Sequence, residues 1–497
     1  MNIWIVTTGS SDVQIKTDDY WDDWYERSPV QRECDNLQFK PTKIIEDSDE
    51  PYRVPPRVLG KVYQQQPEEV WQCLEFPLLR QFTIQLQGKH IDKIILLLTD
   101  QTNTFDEDKR EDRRCPYWQD TCELQDIIKR YFEEQDEFRD VELIPIVLPT
   151  AKSKPGLDDW NQVLKIVRTE FSKIKSEPKT VYVSHQAGTP AISSAVQFCS
   201  LARFGDGVKF LVSNEYEKKS LDPIDSSEYL KGIKFKQAEE LLKRHDYAGV
   251  KSLVNNYLDS ETKILLDAAI KWNLAKFDEF ATELLNHQNS HLVKEVQERK
   301  KDDNWWWSAY ETAYLGVIRL EQENSTEAFF HSFRSVEGLI SKWAESCFSE
   351  YVEPNNDTPL LKSSILNVFP NYLGKKDKAD LKAEFEKKGT LILSGFPLYA
   401  LLRADRTNWE QECKDLTIFI EKITPQRNKL FHRLKGLEEE EVFKEWQVYD
   451  PKDWETRILH YLNFVARQKF ISLKESSLMS QVHEMLKHAI AQSEHTP

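Results

Sequence analysis

The chain has no apolar run long enough to cross a membrane; stretches such as Ile94 to Leu98 fall well short of the ~18 residues a spanning helix needs. Its seven cysteines (34, 73, 115, 122, 199, 347 and 413) form no C-x-x-C pair and keep no regular spacing. Neither a zinc knuckle nor a disulfide framework is therefore indicated, and a reducing cytoplasm is the expected location. The chain lacks both a Walker lysine motif and a G-x-G-x-x-G run, so ATP hydrolysis and dinucleotide binding are poorly supported. Positive charge is also short: 67 Lys and Arg face 83 Asp and Glu, a net charge of −16. That argues against a protein that coats nucleic acid through a broad basic face, and any RNA it handles is expected to be held locally. Met1 leads within two residues into a strand pattern, which leaves no room for a signal peptide. No repeat of fixed period is apparent, so a solenoid is not expected.

What is present is a soluble, globular composition, 40% hydrophobic and 30% charged over 497 residues, enough for two or three domains. In the first 212 residues strand and helix patterns alternate. Strands are expected at Asn2 to Thr8, Ile91 to Leu98, Val141 to Leu148 and Thr180 to Ser184. Helices are expected at Val70 to Leu86, Thr121 to Glu134, Leu157 to Ile174 and Ala191 to Ala202. Alternation of this kind predicts an α/β Rossmann-like domain with a parallel, doubly wound sheet. Lys16 to Gly60 is rich in Asp, Glu, Pro and aromatics with little periodicity, and reads as an insertion or extended loop. Its aspartates at 18, 19, 22 and 23 fit an exposed acidic surface better than a cation site.

Polar, small-residue turns follow three of these strands. Thr8-Gly9-Ser10-Ser11 follows the first, Thr99-Asp100-Gln101 the second, and His185-Gln186-Ala187-Gly188-Thr189-Pro190 lies between Ser184 and the next helix. Open α/β sheets bind ligands beyond the carboxyl ends of their strands, and a strand–loop–helix junction can cradle phosphate with backbone N–H groups. Gly188 alone is equally explained by turn chemistry.

After Val212 helical patterns take over: Ser227 to His245, Ala248 to Leu258, Glu261 to Asn286 and Ser290 to Lys301, then an aromatic start at Trp305-Trp306-Trp307. Those aromatics fit packing at a domain junction better than base stacking. Further helices are expected at Ala328 to Glu345, Leu360 to Phe369, Leu391 to Leu402, Trp409 to Ile423, Asp453 to Leu473 and Ser477 to Ala491.

Within this helical part, Thr424-Pro425-Gln426-Arg427-Asn428-Lys429-Leu430-Phe431-His432 joins a helix start to chemically useful groups. Thr424 is a good N-cap and Pro425 suits the first helical position, which predicts that Arg427 stands in a first turn favourable to phosphate. His432 lies five residues on, about 140° round a helix, while Asn428 shares its face. One helix cannot close Arg427 and His432 on one atom, but two copies related by a two-fold axis can line one groove. The chemistry that suits these groups is RNA cleavage by the ribose 2′-hydroxyl, with His432 as acid or base near pH 7 and Arg427 stabilising phosphoryl charge. No metal ligand is required.

The R-N-x-x-x-H spacing with the amphipathic helix Ala328 to Glu345 resembles the HEPN ribonucleases, and the TTGSSD, LLLTDQ and SHQAGTP strand ends resemble a CARF domain. Together they resemble the CARF–HEPN ribonucleases of type III CRISPR antiviral systems. The resemblance implies a CARF domain over 1–222 with an insertion at about 16–60, an all-α connector over 223–303 and an all-α HEPN domain over 304–497. It implies a homodimer that binds a cyclic oligoadenylate, with tetra-adenylate favoured over hexa-adenylate. Single-stranded RNA is then cut to leave a 2′,3′-cyclic phosphate. Thr8 to Ser11, Thr99 to Gln101 and His185 to Pro190 are the implied ligand-binding residues; Arg427, Asn428 and His432 are the implied catalytic ones. No cofactor, metal or membrane partner is implied, and stable DNA binding is disfavoured because the mechanism needs a 2′-hydroxyl. Some CARF domains also cleave their own activator, a step His185 can assist. Two alternatives remain: a ligand sensor whose HEPN half only dimerises, and a constitutive HEPN toxin ribonuclease.

Overall fold

The computed structural model describes residues 1–33, 37–43, 50–152, 155–213, 222–353, 358–374, 379–413, 416–425, 427 and 436–494. The chain divides into two compact units, Met1–Leu230 and Lys231–Pro497. Among the described residues no helix is long and apolar enough to cross a membrane.

The first unit is built on six strands: β1 (Asn2–Thr7), β2 (Lys93–Thr99), β3 (Glu142–Leu148), β4 (Thr180–Ser184), β5 (Val208–Leu211) and β6 (Ile224–Asp225), in the spatial order β3-β2-β1-β4-β5-β6. Strands β1 to β5 run parallel, and β6 pairs antiparallel with β5. The sheet is therefore mixed rather than purely parallel; a short return strand closes its edge. Strand β1 lies at the centre, with Trp4 opposite Ile94 on one side and Tyr182 on the other. Because strand side chains alternate between faces, its apolar run serves two cores at once. Trp4 and Val6 join Leu96, Leu98 and Tyr182 in one, while Ile3 and Ile5 join Ile95, Leu97 and Val183 in the other.

The second face is covered by helices Trp160–Ser172 and Pro190–Phe204. The first face corrects one part of the reading of residues 16–60 as an insertion or extended loop: the segment contains helices. Helix Trp21–Arg27 buries Trp21, Trp24 and Tyr25, and helix Pro56–Gln65 buries Val58, Leu59 and Val62 in the core with Trp4. These two helices pack on one face of the sheet, and their charged residues mask the apolar stripe. The single helix expected over Val70 to Leu86 is interrupted: Pro67–Gln72 and Pro77–Gln85 each start at a proline, with strand Leu74–Glu75 between them.

In the second unit one hydrophobic core runs from Phe235 to Ile490. The all-α expectation fails at one place: Val352–Glu353, Leu360–Lys362 and Thr390–Ile392 form an antiparallel sheet. Apolar runs this short carry no decisive period, so Leu360 to Phe369 and Leu391 to Leu402 were open to misassignment as helices. The second of these begins its helix only at Phe396, after Gly395 at φ +54°.

Candidate functional sites

In the first unit the chain leaves β1 for β2 on one side and later enters β4 on the other, so the strand order reverses between β1 and β4. That reversal opens the ligand crevice of a doubly wound sheet at the strands' carboxyl ends. The turn after β1 and the loop after β4 meet there. Gly9 is pressed so closely on the second loop that a Cβ would lie 1.9 Å from the Ala187 carbonyl oxygen. The turn closes on itself, since Asp12 Oδ2 accepts the Gly9 N–H at 2.8 Å. Asp12 is wholly buried, and burial pushes its carboxyl up to about 8 even though the Gly9 hydrogen bond opposes the shift. Ser10 and Ser11 are half-buried at the crevice, and their hydroxyls have no hydrogen-bond partner among the described residues.

The remaining residues expected to meet ligand divide into framework and exposed groups. Thr8 Oγ1 donates to the Leu97 carbonyl at 2.8 Å and bonds Thr121, which also accepts the Thr99 N–H at 3.0 Å. Gln101 is held through Asp120 and receives the Leu157 N–H on Oε1. Thr8, Thr99 and Gln101 are buried and occupied in joining strand ends. Asp100 is more exposed. Burial raises its pKa, but hydrogen bonds from Thr102 and Arg57 outweigh this and hold the carboxyl below its ordinary range. Arg57 Nη2 bridges Asp100 at 2.6 Å and Asp120 at 3.0 Å. This buried network was not foreseen, because Arg57 lies in the segment read as a loop and Asp120 between two strand patterns.

After β4, His185 Nδ1 pairs with Ser193 Oγ at 2.7 Å, and burial lowers its pKa. The Gln186 amide is bound at both ends to the Ser213 backbone, Nε2 donating at 3.0 Å and Oε1 accepting at 2.7 Å. Thr189 caps helix Pro190–Phe204, accepting the Ile192 N–H at 3.3 Å, with Pro190 at its first position. Gly188 lies half-buried between them.

In the second unit the expected helix start at Thr424 is not what the structure shows. Thr424 has helical dihedrals, and both its N–H and its hydroxyl donate to the Phe419 carbonyl, the hydroxyl at 3.0 Å. Phe419–Ile423 is a π turn, and Thr424, Pro425 and Arg427 continue helically beyond it. Inside an α-helix Pro425 would clash with the carbonyl four residues back; a widened turn just before it relieves that conflict. Arg427 consequently does not sit in a first turn with free N–H groups, and its charge must be argued from side chains alone.

Those side chains come from helix Ser325–Cys347. Arg427 lies over the Phe333 ring, 5.1 Å from its centroid, and its Nη2 is 3.9 Å from Glu337 Oε2. The Tyr399 hydroxyl lies 3.3 Å from Glu337 Oε1 and 3.4 Å from Thr424 Oγ1. Burial raises the Glu337 carboxyl, partly offset by Arg427 and Tyr399. The Arg427 side chain is one-third exposed. Glu337 and Tyr399 carry no local signal in the sequence. Asn428 and His432 lie outside the described residues.

The chain thus holds a unit with a mostly parallel sheet and a crevice at its strand ends, and a largely helical unit in which Arg427 stands beside Glu337. No protein-family model matches the chain, and no curated protein matches it. Among solved structures it is similar to Enterococcus italicus Csm6 bound to cyclic hexa-2′-fluoro-hexa-dAMP, with a TM-score of 0.57 and 12% identity. The match covers 98% of this chain and 100% of that one; at this identity it shows the fold.

Proposed function

We propose that the protein is a cyclic-oligoadenylate-activated, metal-independent endoribonuclease of type III CRISPR defence, acting as a homodimer. What carries this reading is the fold of a cyclic-oligonucleotide-bound Csm6 extending over both units, in a chain that also contains Arg427, Asn428 and His432. The substrate 2′-oxygen attacks the adjacent phosphorus, the 5′-oxygen leaves, and a 2′,3′-cyclic phosphate remains. His432 moves the proton, Asn428 positions the reacting strand, and Arg427 stabilises the phosphoryl oxygens.

The activator is taken by the crevice between β1 and β4. Ser10 and Ser11 are its polar side-chain contacts there, Thr189 holds the rim by donating to the Leu157 carbonyl while capping its helix, and the backbone of Gly9 and Ala187 to Gly188 forms the floor. Crevice hydroxyls and N–H groups bind phosphates without a basic surface, which fits the acidic chain. His185, neutral near pH 7, is suited to assist slow cleavage of the activator by its own 2′-hydroxyl.

The test is cleavage of a fluorescent single-stranded RNA in EDTA with cyclic tri-, tetra- or hexa-adenylate added separately. Cleavage switched on by one ring is expected. Tetra-adenylate is favoured, and the neighbour's six-membered ligand makes hexa-adenylate its direct competitor. Activity without any ring would point to a constitutive nuclease, and silence with every ring would leave the sensor reading standing.

A further inference from the structure

A cavity of about 810 Å³ opens in the first unit between the loop following β2 and the segment leading into helix Trp160–Ser172. Its walls are fixed in advance. Arg110 donates to the Phe105 carbonyl at 2.8 Å and the Thr102 carbonyl at 2.7 Å while lying over the Tyr117 ring. On the opposite side Gly156 rests on Gln101, where a Cβ would come within 2.7 Å of Oε1.

Trp160, at the first position of its helix, lines this cavity and is 57% exposed. Other tryptophans of the same unit, Trp4, Trp21 and Trp118, are essentially buried. The Trp160 indole makes no ring–ring or ring–cation contact with the described residues. An aromatic side chain of that size left in water forgoes the burial that normally stabilises it, and it offers a flat platform. Around it the lining is of both signs: Lys109 and Lys152 on one hand, Asp106, Asp158 and Asp159 on the other, with Asp159 Oδ1 already capping the helix through the Gln162 N–H. Carboxylates suit an amino-bearing ring edge, and lysines suit a phosphate. A ligand carrying a flat ring, an amine and a phosphate on one frame satisfies all three, and the cavity falls within the range of small-molecule sites.

We propose that this cavity is a second nucleotide site, which takes an adenine mononucleotide with its base on Trp160 and its phosphate toward Lys109 and Lys152. The inference stands apart from the RNA-cleaving reading and survives or fails independently of it.

Equilibrium dialysis of the full chain against labelled AMP tests it, with ribose 5-phosphate as the baseless control. AMP should be retained and ribose 5-phosphate should not. Trp160→Ala should weaken retention at least about fivefold, the lower end for one base stacked on an aromatic ring. Trp160→Phe should largely restore it, and Lys109→Ala with Lys152→Ala should weaken it again. Since these side chains are exposed, unchanged thermal melting is expected for all variants. Absence of AMP retention at millimolar concentration, or retention insensitive to Trp160→Ala, would overturn the proposal. Saturating cyclic tetra-adenylate should leave AMP in place; one-for-one displacement would also overturn it, by giving the cavity to the ring.

Discussion

Arg427 and Glu337, ninety residues apart in sequence, face each other across 3.9 Å, with the guanidinium lying on Phe333 and the carboxylate reached by Tyr399. The pair fixes where the arginine charge is delivered.

If Arg427 neutralises phosphoryl charge during cleavage, Arg427→Ala should lower the turnover of activated RNA cleavage by about 10²–10³, the usual loss for one charge-stabilising donor. His432→Ala should lower it by about 10²–10⁴ with little change in melting temperature. Single-turnover rates in EDTA measure both, and a His432→Ala protein of undiminished rate would remove that residue from the mechanism.

Glu337→Gln separates positioning from stability. Burial raises the Glu337 carboxyl, so the folded state favours its protonated form; its contribution is greatest below the ordinary carboxyl value of 4.5 and falls as pH rises. A neutral isostere should therefore be no less stable at pH 7. Cleavage should nonetheless fall on the order of tenfold, because Arg427 loses the charge that holds it. Loss of stability together with activity would point to a purely structural glutamate.

The Asp12 carboxyl predicts a pH-dependent stability. Its folded pKa, about 8, lies above the ordinary 3.8. Its stabilising effect is therefore complete below pH 3.8, declines above it, and is gone once pH has risen through about 8. Asp12→Asn keeps an acceptor for the Gly9 N–H and removes that titration. Melting curves from pH 5 to 9 should show the variant gaining on the natural protein as pH rises, and parallel curves would count against a buried neutral Asp12.

At Gly9 the loops meet backbone to backbone, and a methyl group has nowhere to go. Gly9→Ala should cost about 1–3 kcal/mol, as overpacking does, and lower the melting temperature by several degrees. Activator affinity should fall with it, because Ser10 and Ser11 are displaced. Isothermal titration with the activating ring would show this, and unchanged affinity would move the binding site away from the turn.

Much of the first unit was legible because its strands are apolar and β-branched and end in small polar turns; β1, β2 and β4 stand within a residue or two of their expected bounds. Residues 16–60 were not, since Trp21, Trp24 and Tyr25 are buried on a short helix whose other residues are charged. Thr424 and Pro425 show why local signals mislead. Both favour a helix start, yet Phe419 is packed on Phe333, Tyr399 and Trp446, and that core carries the helix straight past them. The turns at the strand ends were visible as types, but not which of them would be used up internally. Thr8, Thr99 and Gln101 answer to Thr121 and Asp120, partners that no spacing rule connects to them.

The π turn at Phe419–Ile423 has an angular consequence. A helix advances about 100° per residue, so one additional residue in a turn rotates everything downstream by that amount relative to an uninterrupted α-helix. The bearing of Arg427 is thus set by a count as well as by its own neighbours. Forcing Phe419–Ile423 into a regular α-turn at unchanged chain length would swing the guanidinium off Phe333 and Glu337 without altering any residue it touches. The helix works here as an indexing device, and a relative with a regular turn at this point would need its arginine at a different position to aim it the same way.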